Sequence, residues 1–400
     1  MRDSRARYLL TQEPEMHFGF TEEQQMMQDM AKNFAANEIL PTLEDDEKEH
    51  RFRMEILEKM GALSFFGCAL PEEVGGNGFG FLESVIIAEQ IAKVSGSWRL
   101  PFNMQNIGPA VTVNQFGTDA QKQRFIPDWI STKAVGFFAM TEPNTGSDVV
   151  SMGTTATDKG DHWELNGQKM WISNAHVGDW GLLYAVTDRE AKHKGLTCFI
   201  INPKQTDGVV TSAIETKLGL HCAPTGEIAF DGAKIPKDAV LGEVNQGFPI
   251  CMWQLNNTRI GCAAGAIGIA GGAIDAAINY ANERKQFGQK IGSYQMIQAQ
   301  IADMVAEHEA ARLLVYRAAW LKDQGLPNSH ETSMAKLFAS EAAVHAASDT
   351  MKIFGSYGFS TEYPAERFLR DAHSLRAVEG TSNIQKLIIA GISLGDSQNR

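Results

Sequence analysis

The segment from Arg376 to Gln385 places a carboxylate directly before the start of a helix. Apolar residues recur at helical spacing after Ser382, and Ser382 followed three residues later by Gln385 has the pattern of a capping box. Glu379 therefore lies on the loop that leads into this helix, next to Gly380, which has no side chain to block a bound molecule. A carboxylate there could act as a general base, and the N–H groups of the helix start could hold an anion such as phosphate. The alternative is a loop glutamate that only complements the helix dipole.

Three stretches of different character must position this loop. Residues 17–136 show helical periodicity, with capping boxes at Thr21–Gln24 and Thr118–Gln121, and predict an N-terminal helical domain. Residues 137–245 are rich in β-branched residues, aromatic residues and turn pairs, and predict a β domain. Helical patterns return in residues 246–400 and predict a C-terminal helical bundle. Two or three domains are expected for a chain of 400 residues.

Two local patterns within these stretches carry specific predictions. Trp163–Ile172 contains Asn166-Gly167, a tight-turn dipeptide, and predicts a hairpin, while the apolar run Leu196–Ile201 predicts a strand. Gly261–Gly272 is a run of glycine and alanine whose spacing is not the dinucleotide-binding fingerprint, and no strand precedes it. Small residues that let helices pack closely are the better interpretation. The absence of a Rossmann signature argues against a nicotinamide-dependent dehydrogenase.

Bulk composition excludes several classes of protein. The chain is 44% hydrophobic and 21% charged, as in ordinary globular proteins, and its formal charge of −12 argues against a nucleic-acid-binding surface. No uninterrupted run of about 18 apolar residues is present, so we expect no membrane span. The five cysteines are scattered without a C-x-x-C pair, which indicates buried thiols rather than a zinc site or a disulfide framework. Such thiols are typical of a reducing compartment, either the cytoplasm of a bacterium or the mitochondrial matrix of a eukaryote.

Residues 1–16 carry three arginines but no apolar core, so they are not a secretory signal. An organellar transit peptide would be short here, and Asp3 and Glu13 speak against it. We expect a disordered extension or an upstream start.

Five segments in order resemble the acyl-CoA dehydrogenases, flavoenzymes that desaturate acyl-CoA thioesters between Cα and Cβ. The resemblance runs from about Phe18 to near the C-terminus, and the segments are Phe138–Asp148, Leu165–Asn174, Arg284–Gly288, Thr361–Pro364 and Arg376–Gln385. It implies an α+β fold: an N-terminal helical domain, a middle β-barrel or sandwich domain and a C-terminal four-helix bundle. It also implies that FAD lies in the crevice between them, since a cofactor must accept the hydride.

By the same resemblance, Glu379 is the catalytic base. Some members place the base immediately before the arginine of the segment Leu255–Arg259, but here that position is Thr258, which cannot serve. The backbone N–H of Glu379 would polarise the thioester carbonyl while the carboxylate takes the α-proton, and hydride would pass from Cβ to flavin N5.

The resemblance assigns the flavin contacts residue by residue. Ser147 would face both the flavin and CoA, and Arg284 and Phe287 would grip the flavin phosphates of a neighbouring subunit, which implies a homo-oligomer, expected to be a tetramer. Asn383 departs from the glutamine that is more common there. The contacts are Phe138, Met140, Thr141, Gly146, Ser147, Trp171, Ile172, Ser173, Arg284, Phe287, Gln295, Ser356, Thr381 and Asn383. Without the family, Trp171 would equally well be a packed sheet aromatic, and Arg284 a solvated charge.

The substrate side of the site is expected to include the segment that holds the pantetheine. The substrate contacts are Arg99, Ser147, Leu255, Asn256, Arg259 and Gly380. Arg99 falls where glutaryl-CoA dehydrogenases have the arginine that pairs the terminal carboxylate of the substrate, a bidentate contact. The alternative is an arginine that pairs with a protein carboxylate.

Two departures bear on the reaction. Decarboxylating glutaryl-CoA dehydrogenases have a tyrosine just before the catalytic glutamate and a glutamate seven residues before the pocket arginine. This chain has Val378 and Ala92 there, so it is more similar to the non-decarboxylating enzymes of anaerobic bacteria, which form glutaconyl-CoA. Benzylsuccinyl-CoA or a cyclic acyl-CoA such as cyclohexanecarboxyl-CoA is the alternative substrate, with Trp98 lining the pocket.

Members of the family pass electrons to an electron-transferring flavoprotein, and that partner is expected here. Acyl-CoA oxidases usually add a further C-terminal helical domain, whereas this chain stops at Arg400. A non-enzymatic relative is the second alternative, and the intact Glu379 and the charge of −12 speak against it.

Overall fold

The computed structural model describes residues 18–395, so the expected N-terminal extension, residues 1–16, lies outside the described residues. The first part of the chain is helical, and both predicted capping boxes, at Thr21 and at Thr118, are confirmed. The helices are α1 (Glu22–Phe34), α2 (Leu43–Glu49), α3 (Met54–Ala62), α4 (Phe81–Val94), α5 (Gly96–Asn106), α6 (Pro109–Phe116) and α7 (Asp119–Ile130).

The middle part is one sheet of eight strands. In spatial order the strands run β6-β7-β3-β2-β4-β5-β8, and β1 pairs in parallel with β4. The strands are β1 (Gly136–Ala139), β2 (Thr155–Asp158), β3 (His162–Ser173), β4 (Trp180–Val186), β5 (Leu196–Ile201), β6 (Val209–Ala213), β7 (Thr225–Pro236) and β8 (Val240–Leu241). Alternate residues of β4 serve two cores: Leu182 and Tyr184 pack with the helices, and Leu183 and Ala185 pack inside the sheet.

The predicted hairpin over Trp163–Ile172 is wrong, because that segment lies within the single strand β3. The pairing register shifts at Asn166, where Asp231 and Gly232 of β7 lie opposite this single residue, so the bulge is in β7. The Oδ1 atom of Asn166 accepts the N–H of Gly232 at 2.9 Å, so the two turn-type dipeptides stabilise each other across the ladder. The strand predicted at Leu196–Ile201 is confirmed as β5.

The last part is helical again, with three long helices and two short ones in the described residues. The elements are α8 (Gly247–Glu283), β9 (Lys285–Gln286), β10 (Gln289–Lys290), α9 (Gln295–Asp323), α10 (Ser329–Phe354), α11 (Ala365–Ser374) and α12 (Ser382–Ser393). The expected fold class, helical then β then helical, is confirmed. All five cysteines are free and buried, as the sequence predicted.

Helix α8 is the centre of the molecule and packs against α4, α5, α9 and α10. Its small residues permit close approach: a Cβ on Gly268 would lie 2.4 Å from the carbonyl oxygen of Glu89, and one on Gly272 would lie 2.2 Å from that of Lys93. By length and mean hydropathy α8 could cross a membrane, although the sequence has no uninterrupted apolar run of that length. Because 89% of its most apolar window is buried in the protein, it is a core helix.

The start of α4 is completed by a residue far along the chain. Gly80 precedes the helix and has no side chain to cap it, and the carboxylate of Asp323 at the end of α9 accepts the N–H groups of Phe81 at 2.7 Å and Leu82 at 2.9 Å. Burial raises the pKa of Asp323 to about 6 in spite of these two donors. This cap fastens the N-terminal helices to the C-terminal bundle.

Candidate active site

Glu379 lies on the loop between α11 and α12, as predicted, but the cap of α12 was assigned to the wrong residue. The N-cap is Thr381, whose hydroxyl oxygen accepts the N–H of Ile384 at 3.3 Å, and not Ser382. The hydroxyl of Ser382 instead donates to Glu341 of α10 at 2.8 Å. The side chain of Gln385 does not complete a capping box either, since it donates to carbonyl groups of the loop.

The backbone of this loop is held from several sides. Glu379 and Gly380 are both in the left-handed region, with φ of 58° and 88°, which costs energy for the glutamate. The carbonyl oxygen of Glu379 accepts Nε of Arg259 at 2.8 Å and Nε2 of Gln385 at 3.2 Å. The carbonyl oxygen of Gly380 accepts Nζ of Lys336 at 2.8 Å and Nε2 of Gln385 at 3.1 Å. The surroundings thus fix an otherwise strained conformation.

The carboxylate of Glu379 is partly buried and has no ion-pair partner within 4 Å among the described residues. Its Oε2 accepts the hydroxyl of Thr258, on α8, at 2.7 Å. Burial raises the pKa of Glu379, and the Thr258 hydroxyl and the positive charges of Arg259, Arg99 and Lys336 oppose that rise. A carboxylate with a raised pKa is a stronger base, as proton abstraction requires.

Arg99 is completely buried, and its guanidinium group has no hydrogen-bond partner within residues 18–395. It lies on α5, which crosses α8 at two glycines. A Cβ on Gly265 would lie 2.3 Å from Cδ of Arg99, and one on Gly261 would lie 1.7 Å from Oδ1 of Asn103. The side chain of Arg99 therefore runs along the bare backbone of α8. Buried charges are normally paired, so this one requires an anion that the described chain does not supply.

The residues expected at the flavin ring lie along the edge of the sheet that the ends of β1 and β3 form, and not along an outer strand. The N–H of Met170 donates to the carbonyl oxygen of Thr141 at 2.9 Å, which joins the segment after β1 to β3. Trp171 follows with a φ of 61° and a side chain that is 53% exposed. Phe138, Met140 and Ser173 are partly buried, Ile172 is buried, and Gly146 and Ser147 are exposed on the adjoining loop.

This edge faces α8, which carries the expected substrate contacts. The sulfur atoms of Met140 and Cys251 are 2.8 Å apart. Leu255 and Arg259 lie one and two turns farther along α8 and are buried, while Asn256 is partly buried and donates to Oδ1 of Asn328 at 2.9 Å. The structure therefore brings the flavin-edge residues, the α8 residues and Glu379 to one place.

A second group of expected flavin contacts lies elsewhere. Arg284 is exposed, with its guanidinium carbon 5.3 Å from the ring centroid of Tyr357, which follows Ser356. Phe287 is 95% exposed at the tip of the β9–β10 hairpin. Because Ser356 is 20 residues after Lys336, it lies about 30 Å from the Glu379 loop along α10. Gln295 is exposed at the start of α9, and Asn383 is exposed in the first turn of α12.

Sequence reasoning missed Lys336, which is fully buried and contacts the Glu379 loop, and it gave Gln385, also fully buried, the role of a capping residue instead of a loop contact. It also missed Lys169, which is buried, donates to Glu142 at 2.8 Å and to the carbonyl of Met140 at 3.0 Å, and has a pKa lowered to about 8 by burial. The available signal was a lysine at a core position of an apolar pattern. No cluster of three or more metal-ligating side chains occurs in the described part of the chain.

Comparison with known proteins agrees with this arrangement. Models of the N-terminal, middle and C-terminal domains of acyl-CoA dehydrogenases match residues 21–133, 137–233 and 245–394. The chain is 46% identical over 384 residues to the glutaryl-CoA dehydrogenase of Desulfococcus multivorans, which covers 95% of this chain and 98% of the relative.

Two solved structures are also similar. A glutaryl-CoA dehydrogenase in complex with glutaryl-CoA superposes with a TM-score of 0.94 at 45% identity, covering 96% of this chain and 98% of that one. A chain in a structure described as the electron transferring flavoprotein of Acidaminococcus fermentans superposes with a TM-score of 0.93 at 39% identity, covering 95% and 100%. The matches span all three parts of the fold and the loop of Glu379, and this chain therefore belongs to the acyl-CoA dehydrogenase family of flavin-dependent oxidoreductases.

Proposed function

We propose that the protein is an FAD-dependent dehydrogenase of a dicarboxylic acyl-CoA, which converts glutaryl-CoA to glutaconyl-CoA without decarboxylation. The observation that carries the choice of substrate is Arg99, a fully buried guanidinium without a partner in the described residues. A carboxylate at the far end of the acyl chain would supply the missing anion and accept two parallel N–H bonds. A butyryl chain would leave the charge uncompensated.

The spacing along α8 supports this substrate. Glu379 contacts α8 at Thr258, and Arg99 contacts it at Gly265, seven residues or about 10 Å farther along the axis. A bound glutaryl group would span a similar distance between the base and the guanidinium. This distance is on the order of 10 Å, and it is made up of the contact of the base with Cα, the bonds from Cα to the terminal carboxylate and the carboxylate–guanidinium contact.

Glu379 would take the α-proton. Thr258 occupies Oε2, which leaves Oε1 for the proton. The N–H of Glu379 has no acceptor among residues 18–395, so it is free to bind the thioester carbonyl oxygen. A donor there stabilises the negative charge that develops as the proton leaves.

The residues of the sheet edge fit FAD. Trp171 presents a flat aromatic surface that is half exposed to solvent. Directly before it, the hydrogen bond from Met170 to Thr141 joins β3 to the segment that follows β1. Phe138, Met140, Thr141, Ile172 and Ser173 would hold the ring, with Gly146 and Ser147 on the loop beside it, and Thr381 and Asn383 would approach it from α12. The chemistry that FAD supplies when bound is the acceptance of a hydride from Cβ, which no amino-acid side chain can perform.

Two apolar residues support a reaction without loss of CO₂. Val378, next to the base, packs against the hydrophobic core, and Ala92 is fully buried where α4 meets Gly268 of α8. Neither side chain can donate a proton to the carbanion that decarboxylation would leave. The expected product therefore keeps its carboxylate.

We also propose a homo-oligomer, a tetramer, with an electron-transferring flavoprotein as the electron acceptor. Ser356 lies just beyond the end of α10 that is remote from Lys336 and the Glu379 loop, and Arg284 lies beside it, against Tyr357. Arg284, Phe287 and Ser356 would therefore serve the flavin of a neighbouring copy. Sedimentation of the holoenzyme tests this: we expect an oligomer that dissociates when FAD is removed, and a monomer that retains FAD tightly would contradict it.

A substrate panel tests the proposed reaction. Glutaryl-, benzylsuccinyl-, cyclohexanecarboxyl- and butyryl-CoA are compared with an artificial electron acceptor, and the product and CO₂ are quantified. We expect the highest kcat/KM with glutaryl-CoA, glutaconyl-CoA as the product and little CO₂. Crotonyl-CoA with stoichiometric CO₂ would show that Val378 and Ala92 do not prevent decarboxylation. A preference for cyclohexanecarboxyl-CoA or butyryl-CoA, which have no free carboxylate, would overturn the role of Arg99.

A further inference from the structure

Lys336 is a buried lysine without a carboxylate partner. Its side chain is 0% exposed, and it forms no ion pair within 4 Å among residues 18–395. Its hydrogen-bond acceptor is the carbonyl oxygen of Gly380, at 2.8 Å. Burial lowers the pKa of Lys336, and burying an ammonium group is costly. A lysine in this environment needs a reason other than stability.

The same face of α10 contacts the loop at two further points. Ser340, one turn after Lys336, donates to the carbonyl oxygen of Leu375 at 3.2 Å, where the loop begins. Glu341 accepts the hydroxyl of Ser382 at 2.8 Å, where α12 begins. The three residues of α10 thus hold the loop at its start, its middle and its end.

The contact of Lys336 falls at the strained point. Glu379 and Gly380 have consecutive positive φ values, 58° and 88°. From the other side, Arg259 and Gln385 bind the carbonyl oxygens of these two residues. The orientation of the peptide group after Gly380 therefore depends on a donor from α10, and this peptide group fixes the residue that carries the base.

We propose that Lys336 is a positioning residue for the catalytic base: its ammonium group binds the Gly380 carbonyl and holds Glu379 with its carboxylate toward Thr258. The inference rests on the proposed role of Glu379. It adds a residue of α10 to the groups that surround the base.

The charge of Lys336 gives a second, separable effect. Glu379 faces Thr258 and Arg259 from α8, Arg99 from α5 and Lys336 from α10, and the nearby thiols, Cys251 and Cys262, are neutral because burial raises their pKa values. Each of the three cations lowers the pKa of Glu379. Loss of the ammonium charge would therefore raise the pKa of the base.

Two variants separate the hydrogen bond from the charge. Lys336→Met removes both, whereas Lys336→Gln keeps an N–H donor without the charge. The matched control is Lys352→Met on the same helix, where the lysine is exposed and pairs with Asp349. The assay is anaerobic stopped-flow reduction of the bound flavin, with the panel substrate that the wild-type protein oxidises fastest. FAD content, thermal unfolding and the dependence of the rate on pH are measured for each variant.

We expect Lys336→Met to slow flavin reduction by about 10²-fold with little change in substrate affinity, as for a displaced catalytic group. Lys336→Gln should recover most of the rate, both variants should shift the kinetic pKa upward, and Lys352→Met should match wild type. If Lys336→Met does not fold, the rate of Lys336→Ala decides, because this variant also lacks the donor to the Gly380 carbonyl. A wild-type rate and pH profile in the folded variants would overturn the inference.

The variant Glu379→Gln, measured in parallel, distinguishes a failure of the base assignment from a failure of the role of Lys336. If it reduces flavin normally, the base assignment fails, and Lys336 does not position a base. If it is inactive while the Lys336 variants resemble wild type, only the role of Lys336 fails.

Discussion

The loop of Glu379 and the side chain of Arg99 both contact α8, but they differ in how many hydrogen bonds the protein makes to them. The two loop carbonyls accept four hydrogen bonds from Arg259, Gln385 and Lys336, and the carboxylate accepts one from Thr258. The guanidinium of Arg99 has no partner in the described residues. The described residues thus hold the Glu379 loop with several donors and offer the Arg99 guanidinium no acceptor.

In the reaction that we propose, this difference separates abstraction of the α-proton, which all substrates share, from the choice among substrates. Removal of an α-proton requires a base at a fixed position. The hydrogen bonds within the protein therefore stabilise the strained backbone of the residue that carries it. Selection of a dicarboxylic tail is a difference between affinities, and an unpaired buried cation penalises every substrate that lacks the anion.

Glu379→Gln should remove the chemistry and keep the site. The amide can still accept the Thr258 hydroxyl, but it cannot take a proton, so flavin reduction should slow by at least about 10³-fold. Stopped-flow absorbance measures the rate, and the flavin spectrum with and without ligand shows whether binding is retained. Reduction near the wild-type rate would refute the assignment of the base.

Arg99→Gln should act on one class of substrate. Breaking a buried ion pair costs about 3–5 kcal/mol, so kcat/KM for glutaryl-CoA should fall by about 10²–10³-fold or more. Butyryl-CoA has no terminal carboxylate and should lose much less, or improve as the uncompensated charge disappears. The comparison is the ratio of the two kcat/KM values. Equal losses would show that Arg99 is structural and that the pocket is shaped around Trp98 for an aryl or alicyclic group.

Gly265→Ala should displace the side chain of Arg99 while the arginine itself is retained. The new Cβ would lie 2.3 Å from Cδ of Arg99, so the stem must move. We expect a loss of about 10-fold for glutaryl-CoA and a smaller loss for butyryl-CoA, as for misplacement of a contact group. Gly271→Ala is the control on the same helix, because its nearest neighbour, the ring of His308, is 3.4 Å away. An unchanged ratio of the two substrates would mean that α8 does not place the guanidinium.

Thr258→Val should change the pH dependence more than the rate. The hydroxyl stabilises the charged form of Glu379 and lowers its pKa, so its loss should raise the pKa of the base. Since the carboxylate is the active form, the rise of the rate with pH should move to higher pH, while the plateau changes little. The pH profile of flavin reduction measures this, and an unmoved profile would show that the Thr258 contact is broken in the substrate complex.

The sequence identified the features of the site that depend on neighbouring residues in the chain. It failed for features that depend on contacts between residues far apart in the chain. The Asn166-Gly167 turn was mispredicted because its outcome depends on Asp231-Gly232 across the sheet. Ser382 was taken as the cap because nothing near it in sequence reveals Glu341, 41 residues earlier. Lys336 was missed for the same reason. The resemblance placed Arg99, but only the structure shows that its guanidinium has no partner among the described residues.

The cap that Asp323 provides for α4 has a consequence for synthesis of the chain. Phe81 is made 242 residues before the carboxylate that accepts its N–H group. At about 5–20 residues per second, the ribosome needs on the order of 10–50 s to reach the cap. For that time the N–H groups of Phe81 and Leu82 have only water as a partner, and for most of it the apolar face of α4 lacks α8. Stable docking of the N-terminal helices is therefore a late event, and it awaits the end of α9.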